Sequence, residues 1–199
     1  MSYSDFTLKK VKDELQLHLI EDVDLFFAIP EIQVNDFLLK ILDYNVPLAL
    51  AIGTEKARSE LIIVNVLLEL RKSLANQVSL FSGVNLDVDK EKGLAGFCDF
   101  VISKSTEQLY LTAPIITIVE AKNECITGGL GQCIAEMYAA TIFNAKENLP
   151  LPAIYGVVTT GTNWKFLKLE HNTVTIDLRE YYIANINKLM AIFMAMISD

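Results

Sequence analysis

Residues 94–103 read LAGFCDFVIS and residues 114–122 read PIITIVEAK; these two stretches decide the fold. From Ile115 to Val119 the second stretch is almost wholly apolar, without alternation. That is the pattern of a strand covered on both faces. The first stretch is as apolar, yet it carries Asp99 between Cys98 and Phe100. The second ends in Glu120, Ala121 and Lys122. Charge inside strands that read as buried is the anomaly. An unpaired buried carboxylate costs several kcal/mol, so these groups must pair with one another or hold an ion. Strand side chains alternate, which puts Glu120 and Lys122 on one face and Ala121 on the other. Two carboxylates and an ammonium at neighbouring strand ends make an oxygen-donor site for a hard divalent cation.

Working outward, a polar turn at 89–93 (DKEKG) joins strands predicted over 78–88 and 94–103, a hairpin signal. Before it, Thr54 is a good N-cap and Glu55 suits the first turn of a helix predicted over 55–76. After the EAK stretch, Gly128, Gly129 and Gly131 punctuate the chain, and a helix is predicted over 130–145. A buried strand at 153–160, a hairpin from 164–169 and 173–178, and an apolar helix over 182–197 complete the chain. Residues 1–53 read as an N-terminal extension packed on a core of 54–199. Within it, helices are predicted over 4–18 and 34–44, and PLALAIG at 47–53 reads as a strand or connector. The architecture expected is α/β, a mixed central sheet with helices on both faces.

Composition narrows the class. With 199 residues, 52% of them apolar, the chain is long enough for one packed domain without disulfide or metal, and disorder is excluded. The longest apolar run, 189–197, has nine residues, far below the ~20 that span a bilayer. No basic-then-apolar leader pattern opens the chain, and three cysteines without a CxxC pair fit a reducing cytoplasm, as packing residues. Two histidines exclude a His-rich zinc site, and neither a P-loop nor a GxSxG element is present. Seventeen basic against 25 acidic residues give a net charge of −8, which disfavours non-specific binding to a polyanion.

Asp99, followed after twenty residues by Glu120-Ala121-Lys122, resembles the PD-(D/E)XK nuclease superfamily. The likeness extends to Glu60 in EKARSELIIVNVLLEL (55–70) and to Gln132 in GGLGQCIAEMYAA (128–140). YGVVTTGTNWKF (155–166) is similar to the closing strands of the N-terminal nuclease domain of type I restriction enzyme R subunits. The resemblance spans roughly residues 54–170. It departs from the common pattern at Cys98, where many members carry Pro, and at Glu136, where some carry Tyr. It implies a three-layer αβα restriction-endonuclease-like core and Mg²⁺-dependent hydrolysis of nucleic-acid phosphodiesters, with Mn²⁺ as a possible substitute. Asp99, Glu120 and the Ala121 backbone carbonyl would hold the ion, with Glu60 completing its shell. Lys122 would position the attacking water or neutralise developing charge, and Gln132 would bond the water or a phosphate oxygen.

Helical spacing puts Glu60 on a face with Ile63, Val64 and Leu67, and Gln132 with Ala135, Glu136 and Ala139. Glu136 is a further ligand or a partner for Lys122. Glu55 is the alternative to Glu60, against a simpler role complementing the helix dipole. The glycines at 128–131 either cradle a phosphate or start a helix. Trp164 either stacks on a base or fills the core. Arg58, Arg71 and Lys72 either track a phosphate backbone or are solvated. The apolar helix at 189–197 packs inside the chain or against a second copy, making a homo-oligomer. Two readings of function follow: an endonuclease-like enzyme acting on DNA, or an inactive nuclease-fold module for interaction or assembly, its charges a buried ion pair. A hydrolase of small phosphate esters is a third.

Overall fold

The computed structural model describes residues 1–198; the last position of the 54–199 unit lies outside them. A mixed eight-stranded sheet runs β1 (His18–Ile20), β7 (Thr173–Ile176), β6 (Asn163–Glu170), β5 (Ala153–Thr159), β4 (Ile115–Ala121), β3 (Phe97–Ser103), β2 (Ser79–Asn85), with β8 (Tyr181–Tyr182) also on β6. β1–β7 and β4–β5 are parallel and the other pairs antiparallel. The fold is therefore the α/β architecture expected, with the two charged strands β3 and β4 side by side. Phe100 lies opposite Val119 across their ladder.

Helices cover both faces. Over one lie α2 (Asp36–Ile52), α4 (Val64–Ser73) and α6 (Ile186–Ser198), packed on Phe100, Ile116, Val119, Val157 and Phe166. Over the other lie α1 (Leu8–Leu15) and α5 (Ile126–Lys146), packed on Val101, Ile118, Ile154, Val158 and Leu167. Every residue of β4 and β5 is buried, which explains their unbroken apolar character. The first 53 residues contribute to each layer: β1 to the sheet, α1 and α2 to opposite faces. At Gly131 a Cβ would stand 2.5 Å from the Phe6 carbonyl oxygen, so only glycine lets the N-terminal segment lie on α5.

Three local expectations are corrected. Residues 47–52 are helical, not extended. Pro47 forfeits one ladder bond, but Leu48, Ala49, Leu50 and Ala51 are good helix formers and α2 runs through to a left-handed Gly53. The helix α5 begins at Ile126, so the glycines at 128–131 lie inside it instead of forming a loop before it. Finally, α6 is covered by its own chain: Leu189, Met190, Ile192, Phe193, Met196 and Ile197 are all buried. It leaves no broad apolar face for a second subunit. Among the described residues, no helix is long and apolar enough to cross a membrane.

Candidate active site

β3 and β4 bring Asp99, Glu120 and Lys122 together where the sheet meets the start of α5. Asp99 Oδ2 accepts the Ala121 N–H at 2.8 Å, tying the two strands at the point where the ladder ends. Glu120 is buried, and its Oε1 accepts from the Lys122 ammonium. Its Oε2 has no hydrogen-bond partner among the described residues. Lys122 Nζ also donates to Gln132 Oε1 at 3.3 Å, and Gln132 Nε2 donates to Glu136 Oε1 at 3.1 Å. A chain of side chains thus runs Glu120–Lys122–Gln132–Glu136, from the end of β4 into the body of α5. Glu136 is fully buried, and its second oxygen is also unpartnered.

Two details of α5 set this geometry. Asn144 clamps the helix to the sheet by accepting the Ile115 N–H and donating to the Ile115 carbonyl, both at 2.7 Å. At Gly129 a Cβ would stand 2.8 Å from Val158 Cγ1 and 3.0 Å from Lys122 Cε and Cγ. Absence of a side chain there gives the lysine its path to Glu120. Neither residue stands out from residue type alone. The available signals are an Asn in an otherwise apolar helical run and a Gly where Ala would favour the helix.

Electrostatics follow from burial. Desolvation pushes the Glu120 carboxyl from its ordinary 4.5 up to about 8; Asp99 and Glu55 add to the rise, and Lys122 opposes it. Burial, then Glu120, hold Glu136 well above the carboxylate range. For Lys122, burial favours the neutral amine, but the charge and hydrogen bond of Glu120 outweigh it and the pKa rises. The Cys98 and Cys133 thiols are pushed up by burial, with Glu136 next in importance. They are inert packing residues, as expected, whereas Cys125 is exposed.

The upstream carboxylates divide differently from the helical-wheel reading. Glu60 is turned outward: its side chain is 61% exposed and pairs with Lys56 at 2.8 Å. Ile63 and Leu67 are buried. The cause is a π-helical stretch, Ser59–Ile63, between α3 (Glu55–Arg58) and α4. Its wider turn shifts Glu60 off the face of the residues that follow. Glu55 lies in the first turn of the same helix, after the Thr54 cap, and its charge is felt at both Glu120 and Lys122. Both glutamates line an open cleft of about 370 Å³ beside Asp99, together with Lys56, Ser59, Ser82 and Phe100. Three carboxylates and one ammonium border it, and that ammonium is already paired.

The residues considered for nucleic-acid contact are engaged elsewhere. Arg58 donates to Asn123 Oδ1 at 3.3 Å and to the Thr160 carbonyl at 2.9 Å, and Arg71 holds the Val78 carbonyl and Asn76. Lys72 pairs with Glu69 at 3.7 Å. Trp164 is fully buried, donates to the Gly161 carbonyl at 2.9 Å and packs edge-on against Phe193. Its core role is the one realised.

No protein-family model and no curated protein matches this chain.

Proposed function

We propose that this chain is an endonuclease-like phosphodiesterase that hydrolyses nucleic acid with Mg²⁺, Mn²⁺ being a substitute. The observation that carries the reading is the Glu120 carboxylate, buried beside Asp99 with one oxygen on Lys122 and the other unpartnered. Among the described residues, no three His, Cys, Asp or Glu side chains converge as a ready-made metal cage. Mg²⁺ does not require one, because it is commonly held by one or two carboxylates and keeps several waters. Glu120 Oε2 and the second oxygen of Asp99 fit that role. The Ala121 carbonyl is the next donor along the chain, and Glu55 is the upstream carboxylate whose charge reaches the site, in place of Glu60.

When bound, the ion supplies positive charge at the phosphate oxygens and a water of lowered pKa. With Glu120 ionised, the form that holds the ion, its charge and hydrogen bond keep Lys122 protonated, and the ammonium presents a cation to the phosphate or the attacking water. Gln132 holds that ammonium from the other side and is itself fixed by Glu136. The acidic cleft beside Asp99 offers substrate phosphates little counter-charge of its own. Affinity for DNA is therefore weak and shallow in its salt dependence.

That same acidic lining favours a second reading: a nuclease-like module retained for binding another macromolecule, with Glu120 and Lys122 as a structural pair. Cleavage of single- and double-stranded DNA at low salt separates the two, comparing wild type with Asp99→Asn and Lys122→Met. Mg²⁺-dependent cutting that both variants lose while keeping their fold supports the enzyme. Absence of cutting, with no rise of Tm on adding Mg²⁺ or Mn²⁺, refutes it and leaves the binding module.

A further inference from the structure

One helix face of this molecule is apolar and uncovered. Along α2, Phe37, Ile41, Tyr44, Leu48 and Ile52 recur at helical spacing on a single side. Phe37 is 63% exposed, Tyr44 75% and Ile52 50%. Leu68, on the neighbouring α4, continues the surface and is also half exposed. Where the two helices meet, Phe37, Ile41 and Leu68 border a hollow of about 140 Å³ whose polar rim is Glu69 and Lys72. The sequence alone gives a helix over 34–44 and a strand or connector at 47–53, which leaves Leu48 and Ile52 off this face.

The size of the face limits its occupant. An aromatic side chain carries ~150–250 Å², so two half-exposed aromatics and four aliphatics present apolar area on the order of 500 Å². That equals the largest patches found on monomers. It also matches the apolar share, somewhat over half, of the ~800 Å² that each partner gives to a standard interface. The rim carries both signs: Asp36, Asp43 and Glu69 with Lys40 and Lys72. A membrane surface does not fit, since helices that lie on lipid have a polar face rich in Lys and Arg. A second copy does fit. The same face holds a projecting side chain, Tyr44, and a hollow, and mixed rim charges can pair with themselves across a twofold axis, as an isologous contact requires.

We propose that two copies of the chain pair through this face, α2 against α2, with Tyr44 of each copy seated in the hollow of the other. Sedimentation velocity and light scattering on the full chain, from about 1 to about 100 μM, test it across the range of transient and stable dimers. Wild type is expected to pass from monomer to dimer or to be dimeric throughout. Tyr44→Glu and Phe37→Glu, both on exposed side chains, are expected to weaken dimerisation at least ~30-fold, the effect of losing a hot-spot residue. They should leave Tm and circular dichroism as in wild type. Leu109→Ser, at a 93% exposed position off this face, should leave the mass unchanged. Wild type that stays monomeric at the highest concentration overturns the proposal. So does a dimer that both glutamate variants leave intact.

Discussion

Raising the pH of the metal-free protein is expected to destabilise it, and Glu120 is the reason. Burial raises its carboxyl from 4.5 to about 8 in the native state, so between those values the native chain keeps a proton that the unfolded chain has released. A group raised in this way leaves stability intact below its unfolded pKa and removes it as the pH climbs to the folded one. One proton changes unfolding free energy by about 1.4 kcal/mol per pH unit. Across the interval from 4.5 to about 8 that amounts to several kcal/mol, released by Glu120 and the neighbouring Glu136 as an interacting pair. Glu136 is raised too and steepens the same trend. Urea denaturation in EDTA at constant ionic strength, from about pH 5 to about pH 9, measures the slope directly. Glu120→Gln has no proton to lose at this site. Its stability should fall less with pH, and it should exceed wild type near pH 8. Subtracting the two curves cancels every titration the two proteins share. Stability that is flat or rising between pH 6 and 8, or an unchanged slope in Glu120→Gln, would refute the reasoning. Mg²⁺ should restore stability most at the high-pH end, where the carboxylate it binds is already ionised.

Other substitutions probe the supports of the site. Gly129→Ala drives a methyl into Val158 and the Lys122 stem; it is expected to cost about 1–3 kcal/mol and to lower Mg²⁺-dependent cleavage, read by denaturation and nuclease assay. Glu136→Gln keeps a carbonyl oxygen for the Gln132 amide, whereas Glu136→Leu leaves that amide without its acceptor. The Leu variant should lose about 1–3 kcal/mol more than the Gln variant and show an altered pH profile of the Lys122 Cε resonance by NMR. Lys188 donates to the carbonyls of Phe26, Phe27 and Ile29. Lys188→Met should therefore destabilise by at least about 2 kcal/mol and make residues 22–34 the first site of limited proteolysis.

Much of this is legible in the sequence. The unbroken apolar runs of β4 and β5 announced a covered parallel pair, and Asp99, Glu120 and Lys122 stood out because charge is costly there. Gln132 is singled out only by the resemblance to the nuclease superfamily, which carries a Gln on the helix after the motif. What stayed hidden has a physical cause in each case. Glu60 borders the cleft beside Asp99 but is more exposed than its spacing implies, because a π-helical turn breaks the 100° step on which face assignments rest. The glycines of α5 looked like loop punctuation because their purpose, contact with Phe6 and Lys122, lies in distant segments. The exposed face of α2 is hidden because PLALAIG at 47–53 reads as a strand or connector, and for α6 hydrophobic spacing reports that a face is apolar, not whether something covers it.

The pairing of β1 with β7 sets His18 against Thr173, so the outermost pair of the sheet joins two segments far apart in sequence. During synthesis the first strand must wait about 150 residues of chain before its partner at Thr173–Ile176 exists. Such non-local closure makes folding slow. Until it happens, β7 presents an unpaired edge, the kind of surface on which other chains add strands. Residues 1–20 thus act as an edge guard, and a shortened chain lacking them would be prone to aggregate through β7 even with Asp99, Glu120 and Lys122 in place.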